Sequence, residues 1–215
     1  IGALSLLSEA VLGSKDDPAS VVKFATRMQS EAKRLTDLVQ EIINLSRVQD
    51  SDPLQLAQEV SVEYLIREAI DQCQITADSR NITVSYLENS DAVVLGDRDQ
   101  LIMAVHNLIE NAINYSPENT KVSVTTTSES GIIDISVTDQ GIGISESEQD
   151  RIFERFYRVD PARSRQTGGT GLGLSIVKHV AAKHGGEVKV WSVENVGSTF
   201  SIRLPIYESP MEIVE

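Results

Sequence analysis

Apolar residues recur every seven positions between Val21 and Leu45, and this periodicity constrains the fold more than any other feature of the chain. One set of positions holds Val21, Met28, Leu35 and Ile42, and a second set holds Phe24, Leu38 and Leu45. The pattern predicts a helix with a narrow packing seam. Glu31 occupies the position where the second set would place an apolar residue. A polar residue in a seam can fix the register of the packed helices.

A shorter helical pattern, with Leu4, Leu7 and Val11, precedes this helix. Turn-forming residues separate the two, and Asp17 is a candidate cap directly before Pro18. We therefore expect an antiparallel hairpin over residues 1–50. A two-helix hairpin cannot cover both of its faces, so a second copy of the chain is expected to complete a four-helix bundle. The alternative is that the hairpin packs on the rest of its own chain.

Helical and strand patterns are mixed after a turn-rich patch at residues 50–53. We expect a linker at 51–60, a second domain at 61–206 and a tail at 207–215. The patterns predict helices at 62–73, 97–115 and 171–184, and strands at 82–87, 121–127, 132–138, 187–191 and 198–204. The predicted fold class is α+β: a helical hairpin followed by an α/β sandwich with helices on one face of a mixed, mainly antiparallel sheet.

The charge balance restricts the partners of this 215-residue chain. It has 19 Lys and Arg against 32 Asp and Glu, a net charge of -13, which disfavours nucleic acid and anionic membrane surfaces. No apolar run approaches the roughly 18 to 20 residues of a spanning helix, so these residues are expected to work in soluble form. The single cysteine, Cys73, cannot form an internal disulfide and is expected to be a buried thiol, which fits a reducing compartment.

Two polar patches carry candidate chemistry on or next to regular elements. Asn107 and Asn111 lie one helical turn apart, so their amide oxygens share a helix face and are suited to a hydrated magnesium ion. Asp139 follows an apolar strand and precedes Gly141 and Gly143. An Asp at a strand end can accept a hydrogen bond from an amino group on a base, and glycines let a flat ring approach the backbone. Each patch alone is more often a solvated or turn-forming feature.

Four glycines within residues 168–173 precede the third predicted helix. Free amides at a helix start, with the helix dipole, form a cradle for phosphate. A dinucleotide fingerprint is excluded because the preceding residues are polar and charged, and a Walker loop is excluded because the chain has no Gly-Lys pair. Residues 143–168 form a long polar stretch around one hydrophobic island, 152–157, which is typical of a functional loop. There Arg155 and Arg158 are suited to phosphate, and the Phe residues to anchoring a mobile lid.

These four patches, in this order and followed by Gly197-Ser198-Thr199-Phe200, resemble the N, G1, F and G2 boxes of bacterial two-component sensor histidine kinases. The resemblance implies a Bergerat-type ATP-binding domain, shared with gyrase, Hsp90 and MutL, after a dimerisation and phosphotransfer hairpin. Within the family the sequence is similar to actinobacterial phosphate-responsive sensor kinases. The implied cofactors are ATP and Mg²⁺, and the implied partners are a second copy and a response regulator receiver domain. The core is expected in the cytoplasm, with the parent protein anchored in the plasma membrane by segments outside this sequence.

By this resemblance Asn111 is the main magnesium ligand, Asn107 its partner, and Asp139 the residue that reads adenine. Asn114 stands where relatives often carry Lys, so its contact with phosphate is expected to be weak. The remaining implied ATP contacts are Tyr115 beside the nucleotide, Gly141, Gly143 and Ile144 at the base, Arg158 at the phosphates, Thr199, and the amides of Gly169, Thr170, Gly171, Leu172, Gly173 and Leu174.

The resemblance also implies that half of the reaction is missing from the chain. Residues 1–7 resemble the segment that follows the Thr-Pro after the phosphoacceptor, so that His is expected upstream of residue 1. His106, His179 and His184 are expected to be structural or solvated. We therefore expect the chain to bind Mg-ATP, not to label itself with phosphate, and to dimerise weakly.

Two alternatives stay open. The first is an ATPase of the gyrase or Hsp90 type, whose relatives place a Glu at the position of Asn107 to activate water, a task for which Asn has no basic oxygen. Glu110 is the nearby carboxylate and is expected to face elsewhere on the helix. The second is a nucleotide-binding adaptor without activity, which intact glycines and asparagines disfavour.

Overall fold

The computed structural model describes residues 2–50, 57–87, 90–159 and 169–208, with the side chains of 49 and 50 left out. Its first two elements are helix α1, Gly2–Gly13, and helix α2, Pro18–Asp50, which pack against each other as a hairpin. Asp17 caps α2, because its Oδ1 accepts from the Ala19 amide at 3.1 Å and its Oδ2 from the Ser20 hydroxyl at 2.6 Å. The predicted hairpin and its cap are confirmed.

The C-terminal half of α2 packs on the rest of the chain. Leu45 and Val48 are buried in the main core, and Thr170 donates a hydrogen bond to the Glu41 carboxylate. The stripe that faces the chain's own body excludes Ile42, which is 45% exposed although the seven-residue pattern predicts it in the seam. The alternative packing on the same chain therefore holds for this half of α2. The exposed large apolar side chains of the hairpin are Leu6, Leu12, Val22, Val39, Ile42 and Ile43.

An α/β sandwich follows the hairpin. Its helices are α3, Val62–Ser79, α4, Arg98–Tyr115, and α5, Gly173–Lys183. Its strands are β1, Gln58–Ser61, β2, Thr83–Tyr86, β3, Val93–Gly96, β4, Lys121–Glu129, β5, Ile132–Thr138, β6, Glu187–Val193, and β7, Gly197–Pro205. Single turns of 3-10 helix lie at 146–148 and 151–153.

The main sheet has five strands in the order β2-β4-β5-β7-β6. Only the β2–β4 pair is parallel, so the predicted mixed, mainly antiparallel sheet is confirmed. Alternation along β5 directs Ile133, Ile135 and Val137 into the core, where helices α3, α4 and α5 bury them. The opposite face of the sheet carries polar pairs such as Ser136 with Ser201. The predicted fold class is therefore confirmed.

The sequence patterns missed a small two-stranded sheet, in which β1 pairs antiparallel with β3. Strand β1 has four residues, of which only Val60 is buried, so it is too short and too exposed to show a strand pattern. It lies across the expected boundary between linker and second domain. Helix α3 also continues past the predicted end at Cys73 to Ser79, because buried Ala77 and a Gln74–Asp78 side-chain hydrogen bond of 2.7 Å support the extra turns.

Helix α4 is anchored at both ends. At its start, Asp97 Oδ1 accepts from the amides of Asp99 and Gln100 at 3.0 and 3.1 Å. At its end, the Arg80 guanidinium donates to the carbonyls of Ile113 and Asn114, each at 2.9 Å. These bonds satisfy carbonyls that a helix terminus leaves open. The residues that α4 presents are therefore held on a rigid support.

Cys73 is buried between α3 and α4, where its thiol donates to the His106 carbonyl at 3.9 Å. Burial, with a smaller contribution from Glu110, raises the pKa of the Cys73 thiol to about 12. The prediction of a buried thiol is confirmed. Within the four described ranges, no helix combines the length and the apolar character needed to cross a bilayer.

Candidate functional site

A cavity of about 510 Å³ lies between α4, the loop after β5, the start of α5 and the face of α2. Most of the predicted ATP-binding residues line it: Asn107, Asn111, Asn114, Tyr115, Asp139, Gly143, Ile144, Arg158, Gly169, Thr170, Gly171, Gly173 and Leu174. We call the part around Asp139 and residues 141–144 the Asp139 end, and the part around residues 169–174 the glycine end. Four patches that are distant in sequence therefore meet at one cavity.

Asp139 is a buried carboxylate, only 7% exposed. Its Oδ1 accepts from the Gly141 amide at 2.7 Å and from the Ser198 amide at 3.2 Å. Burial raises the pKa of Asp139, and these two hydrogen bonds partly oppose the rise. Because both donors bind Oδ1, the carboxylate can still accept from a ligand through Oδ2. The Asp139 end therefore presents an oriented acceptor in apolar surroundings.

The loop after Asp139 is tied to the β6–β7 hairpin. Ser192 Oγ accepts from the Ile144 amide at 2.8 Å, and the Asn195 amide donates to the Ile142 carbonyl at 2.7 Å. Gln149 Nε2 bridges the two segments, donating to the carbonyls of Ile144 and Ser192 at 3.2 and 3.1 Å. The wall of the Asp139 end is therefore held by backbone and side-chain bonds on both sides.

Two glycines at this end, Gly141 and Gly143, lie where the backbone leaves no room for a side chain. Gly143 has a φ of +67°, and a Cβ there would lie 2.0 Å from the Val193 carbonyl oxygen. Gly141 does not line the cavity, but a Cβ on it would lie 2.8 Å from both Asp139 Oδ1 and the Tyr115 carbonyl oxygen. Gly141 therefore supports Asp139 from behind the cavity wall.

Asn107 and Asn111 face the glycine end from α4. Asn107 Nδ2 donates to the Met103 carbonyl at 2.9 Å, which directs Oδ1 toward Gly173. A Cβ on Gly173 would lie 3.0 Å from this oxygen, so the glycine keeps the space beside it open. The Asn107 oxygen lies next to this space, and the Asn111 side-chain amide approaches it from the same helix face, through Nδ2 at 3.8 Å from the same Cβ position. Amide oxygens are among the hard oxygen ligands that Mg²⁺ prefers.

In the described ranges, no three His, Cys, Asp or Glu side chains gather where they could hold a metal. A magnesium ion between the asparagines would therefore need water and phosphate oxygens as its other ligands, as Mg²⁺ usually does. The donor set at the glycine end fits that arrangement.

The glycine end is formed by the segment before α5. Thr170 Oγ1 donates to the Glu41 carboxylate and accepts from the Leu172 amide at 3.2 Å. Leu172 is fully buried in the core and does not line the cavity, so its amide is engaged by Thr170 and not directed at a ligand. Helix α5 begins at Gly173, two residues after the predicted start. Gly168, the first glycine of the patch, lies outside the described residues.

The hydrophobic island, residues 152–157, begins in the 3-10 turn at 151–153 and continues as turn and irregular backbone. Phe153 packs edge-on against Phe200, with ring centroids 6.4 Å apart. Phe156 has a φ of +62° and is 60% exposed, so it does not serve as the anchor that the sequence predicts for both Phe residues. Arg158 lines the cavity beside Gly169, as predicted. The arginine therefore reaches the site, while one of the two aromatic residues does not pack.

Thr199 does not line the cavity, and its neighbour Ser198 does. Thr199 lies on the outer face of the sheet, where its hydroxyl pairs with that of Thr138 at 2.9 Å. Ser198 shares the inward parity of Phe200, and its amide binds Asp139. The structure therefore brings Ser198 to the cavity in place of the predicted Thr199, and strand alternation could have identified Ser198.

Glu110 lines the cavity, against the expectation that it faces elsewhere. It lies three residues after Asn107, and a helix places such residues on the same side. From α2, Glu41 and Asp37 line the same region. Burial raises the pKa of Glu41, the bond from Thr170 lowers it, and the charges of Glu110 and Asp37 raise it further. No local sequence pattern indicates that α2 forms a wall of this cavity.

The three histidines take no part in the cavity lining. His184 caps the end of α5: its Nε2 accepts from the Asp97 amide at 3.0 Å, and its Nδ1 lies 2.8 Å from the Val180 carbonyl. Because Nε2 accepts from an amide, it carries no proton and Nδ1 is the donor, and burial lowers the pKa of His184 in the same sense. His184 therefore joins the end of α5 to the start of α4, and its predicted structural role is confirmed.

The chain is similar to known proteins over most of its length. The family model described as Histidine kinase-, DNA gyrase B-, and HSP90-like ATPase matches residues 96–208. The chain is 47% identical over 210 residues to a protein named Sensor-like histidine kinase SenX3 from Mycolicibacterium smegmatis. That match covers 98% of this chain and 55% of the relative, so the chain spans little more than half of the relative's length.

Two solved structures are similar in fold. The mycobacterial sensor histidine kinase MprB is 31% identical, with a TM-score of 0.60, and the match covers 69% of this chain and 97% of that one. Full-length ShkA in complex with AMPPNP is 25% identical, with a TM-score of 0.70, and the match covers 97% of this chain and 44% of that one. The first match is confined to part of the chain, whereas the second includes the hairpin as well.

Proposed function

We propose that the cavity binds Mg-ATP and that the γ-phosphate of the bound ATP is transferred to a histidine. The chain belongs to the sensor histidine kinases, within the histidine kinase-, DNA gyrase B-, and HSP90-like ATPase family. Its similarity to an actinobacterial sensor kinase, expected from the sequence, is confirmed by the 47% identity. The proposed acceptor is a histidine of a dimerisation helix, and an aspartate of a response regulator is proposed to receive the phosphate next.

The observation that carries the proposal is the polarity of the cavity along its length. A buried carboxylate, Asp139, stands at one end as an acceptor for the adenine amino group. The glycine end presents the start of α5, where amides and the helix dipole favour phosphate. Arg158 adds a positive charge there. A nucleotide laid along the cavity places each chemical group beside its complement.

Asn111 and Asn107 are proposed to hold the magnesium ion through their side-chain oxygens. The bound ion neutralises charge on the phosphates during transfer. The protein contributes orientation: Met103 fixes the Asn107 amide, and Gly173 leaves the room that the phosphates need. Asn114 and Tyr115 line the rest of this wall.

We propose residues 1–50 as the dimerisation and phosphotransfer hairpin, 51–60 as the linker, 61–206 as the ATP-binding domain and 207–215 as a tail. The exposed apolar residues of the hairpin, including Val22, Val39 and Ile43, are available for a second copy. The structure of ShkA bound to AMPPNP supports nucleotide binding by this fold. The cytoplasmic location and the membrane anchor of the parent protein stay predictions.

Hydrolysis of ATP is a second candidate function, because Glu110 lines the cavity. A carboxylate within reach of the γ-phosphate can act as a general base toward water. Asn107, which occupies the position of the base in hydrolytic relatives by resemblance, favours transfer to a protein. The two functions differ in where the phosphate goes.

Binding is tested by displacement of a fluorescent ATP analogue with and without Mg²⁺. We expect the chain to bind ATP, and Asn111→Ala to lose the part of the affinity that depends on Mg²⁺. His106→Ala changes the same helix outside the cavity and should bind as the unchanged chain does. Absence of ATP binding by the unchanged chain would reject the proposal.

Transfer is tested by adding a separate polypeptide that carries the acceptor helix, together with γ-labelled ATP. Acid-labile label on the added polypeptide, and none on the chain alone, supports the kinase. Release of inorganic phosphate without labelling, lost in Glu110→Gln, supports the ATPase.

A further inference from the structure

The charged residues that line the cavity come from both the hairpin and the sandwich, and most of them are acidic. Among the described residues that line it, the cations are Lys33, Arg34 and Arg158, and the first two belong to helix α2 of the hairpin. The carboxylates of this described lining are Asp37, Glu41, Glu110 and Asp139. The carboxylates outnumber the cations, so a polyanion that enters the cavity meets repulsion unless the cations lie beside it.

The cavity-lining residues of α2 form one stripe along the helix: Ser30, Lys33, Arg34, Asp37 and Glu41. Their spacing of three, four and seven places them on a single helix face. Glu41, at one end of the stripe, accepts the hydrogen bond from Thr170 and so fixes α2 against the glycine end. Lys33 and Arg34 follow two helical turns away along the same face.

Arg34 forms an ion pair with a residue of its own helix and still lines the cavity. Its guanidinium lies 3.6 Å from Glu31, and its side chain is 37% exposed. Such an exposed ion pair contributes little and exchanges readily for a stronger anion. A guanidinium is also suited to two phosphate oxygens at once, and the Lys33 ammonium is a compact point charge.

We infer that Lys33 and Arg34 of the hairpin form part of the nucleotide site and bind the terminal phosphates of a nucleoside triphosphate. The inference rests on the proposed function, in which ATP lies along the cavity with its base at Asp139. Helix α2 is a wall of the same cavity and is bonded to the glycine end through Glu41 and Thr170, so a phosphate chain bound at that end shares its space with the α2 stripe. Two cations on α2 offset the repulsion from Asp37, Glu41 and Glu110 in that region.

The proposed contacts make the bound nucleotide a connection between the two parts of the chain. A phosphate chain that touches both the glycine end and α2 links the sandwich to the hairpin. Nucleotides with more phosphates should therefore gain more from Lys33 and Arg34, whereas a nucleotide with a single phosphate should gain almost nothing.

The test compares Lys33→Ala/Arg34→Ala with Lys23→Ala/Arg27→Ala. Both pairs lie on α2 and remove the same charge, but Lys23 and Arg27 do not line the cavity. Dissociation constants for ATP, ADP and AMP are measured by displacement of a fluorescent analogue at low salt. We expect the first pair to weaken ATP binding about fivefold, ADP binding less, and AMP binding by less than about twofold.

The outcomes separate the inference from the proposal beneath it. If the unchanged chain does not bind ATP, the proposed function and the inference both fail. If the chain binds ATP but the two double variants behave alike, or if AMP weakens as much as ATP, only the inference fails. Lys33→Gln/Arg34→Gln should repeat the loss, and circular dichroism of each variant should show the unchanged helix content. A loss that disappears at high salt supports the electrostatic origin.

Discussion

The two ends of the cavity are built in different ways. At the Asp139 end, the carboxylate, the loop 141–144 and the β6–β7 hairpin are joined by hydrogen bonds from Gly141, Ser198 and Gln149. At the glycine end, the walls come from α4, α5 and α2, and the bonds of Thr170 to Glu41 and Leu172 connect them. One end is braced by its own neighbours, and the other is assembled from separate elements.

The two ends are suited to different tasks, the Asp139 end to recognition of the base and the glycine end to transfer of the phosphate. A base that must be distinguished from other bases requires an acceptor at a fixed position, because misplaced polar groups discriminate poorly. A phosphate that must leave requires donors that can accommodate movement, and walls that come from three separate helices can shift relative to one another. The Asp139 end should therefore govern which nucleotide binds, and the glycine end how strongly additional phosphates contribute.

The largest expected effect comes from Asp139→Asn, which tests the Asp139 end. The amide replaces the acceptor Oδ2 with a donor, so it repels the adenine amino group. We expect ATP, ADP and AMP to weaken equally, each by at least about 30-fold, since a bond to a charged group contributes about 2 kcal/mol. Displacement assays with the three nucleotides measure the change.

The same variant should not lose stability. Asn can keep an oxygen at the position of Oδ1, which accepts from Gly141 and Ser198. The raised pKa of Asp139 means that folding disfavours its charge, so stability falls as the pH rises through the folded-state pKa. Asparagine removes that penalty, and the urea midpoint at pH 7 should be equal or higher. A large fall in the midpoint would mean that Asp139 serves the fold.

The contrast between the ends also bears on what sequence alone predicts. Asp139 follows a strand, and Asn107 and Asn111 lie one turn apart, so local spacing made them candidates, and only the resemblance to the histidine kinases assigned their roles. The resemblance names Thr199, whereas the alternation along β7 faces Ser198 inward with Phe200. The fold class followed from periodicity, while β1 was too short to be seen.

The hairpin wall could not be predicted in this way. Glu41 meets Thr170 across 129 positions of the chain, and no spacing rule relates residues so far apart. The seven-residue pattern of α2 predicted a seam but not which half would pack on the sandwich. Such contacts depend on how two folded parts meet, which local propensity does not determine.

The second effect concerns the glycine end and follows from Gly173→Ala. A Cβ there lies 3.0 Å from Asn107 Oδ1 and occupies space beside the phosphates. We expect ATP affinity to fall about tenfold, close to 1.4 kcal/mol, with AMP affected less. Alanine favours a helix over glycine, so the urea midpoint should not fall. Equal losses for ATP and AMP would remove the distinction between the two ends.

The third effect returns to the Asp139 end through Gln149→Met, which keeps the size of the side chain and removes both of its donors. The carbonyls of Ile144 and Ser192 lose their bridge. We expect the three nucleotides to weaken together, by about threefold to fivefold. Gln72→Met is the matched control, because Gln72 is exposed on α3 and bonds only locally to Glu68. A loss restricted to ATP would place Gln149 with the glycine end.

The smallest effect tests the scaffold that both ends share. Neutral His184 accepts from the Asp97 amide and so joins α5 to α4. Its pKa is lowered in the folded state by burial, so the unfolded chain binds a proton first as the pH falls below the ordinary value of 6.5. The free energy of unfolding should therefore decrease from about pH 6.5 downward.

His184→Gln supplies the control for this effect, because its side-chain oxygen can accept from the Asp97 amide without titrating. Urea unfolding between pH 7.5 and about 5.5 should show a steeper decline for the unchanged chain than for the variant. The pKa of His179 is also lowered, but His179 is present in both proteins, so the difference between the slopes belongs to His184. Identical slopes would mean that the link between α4 and α5 does not depend on a neutral ring. A difference in slope that leaves the ratio of ATP to AMP affinity unchanged at pH 7.5 would place His184 outside both ends.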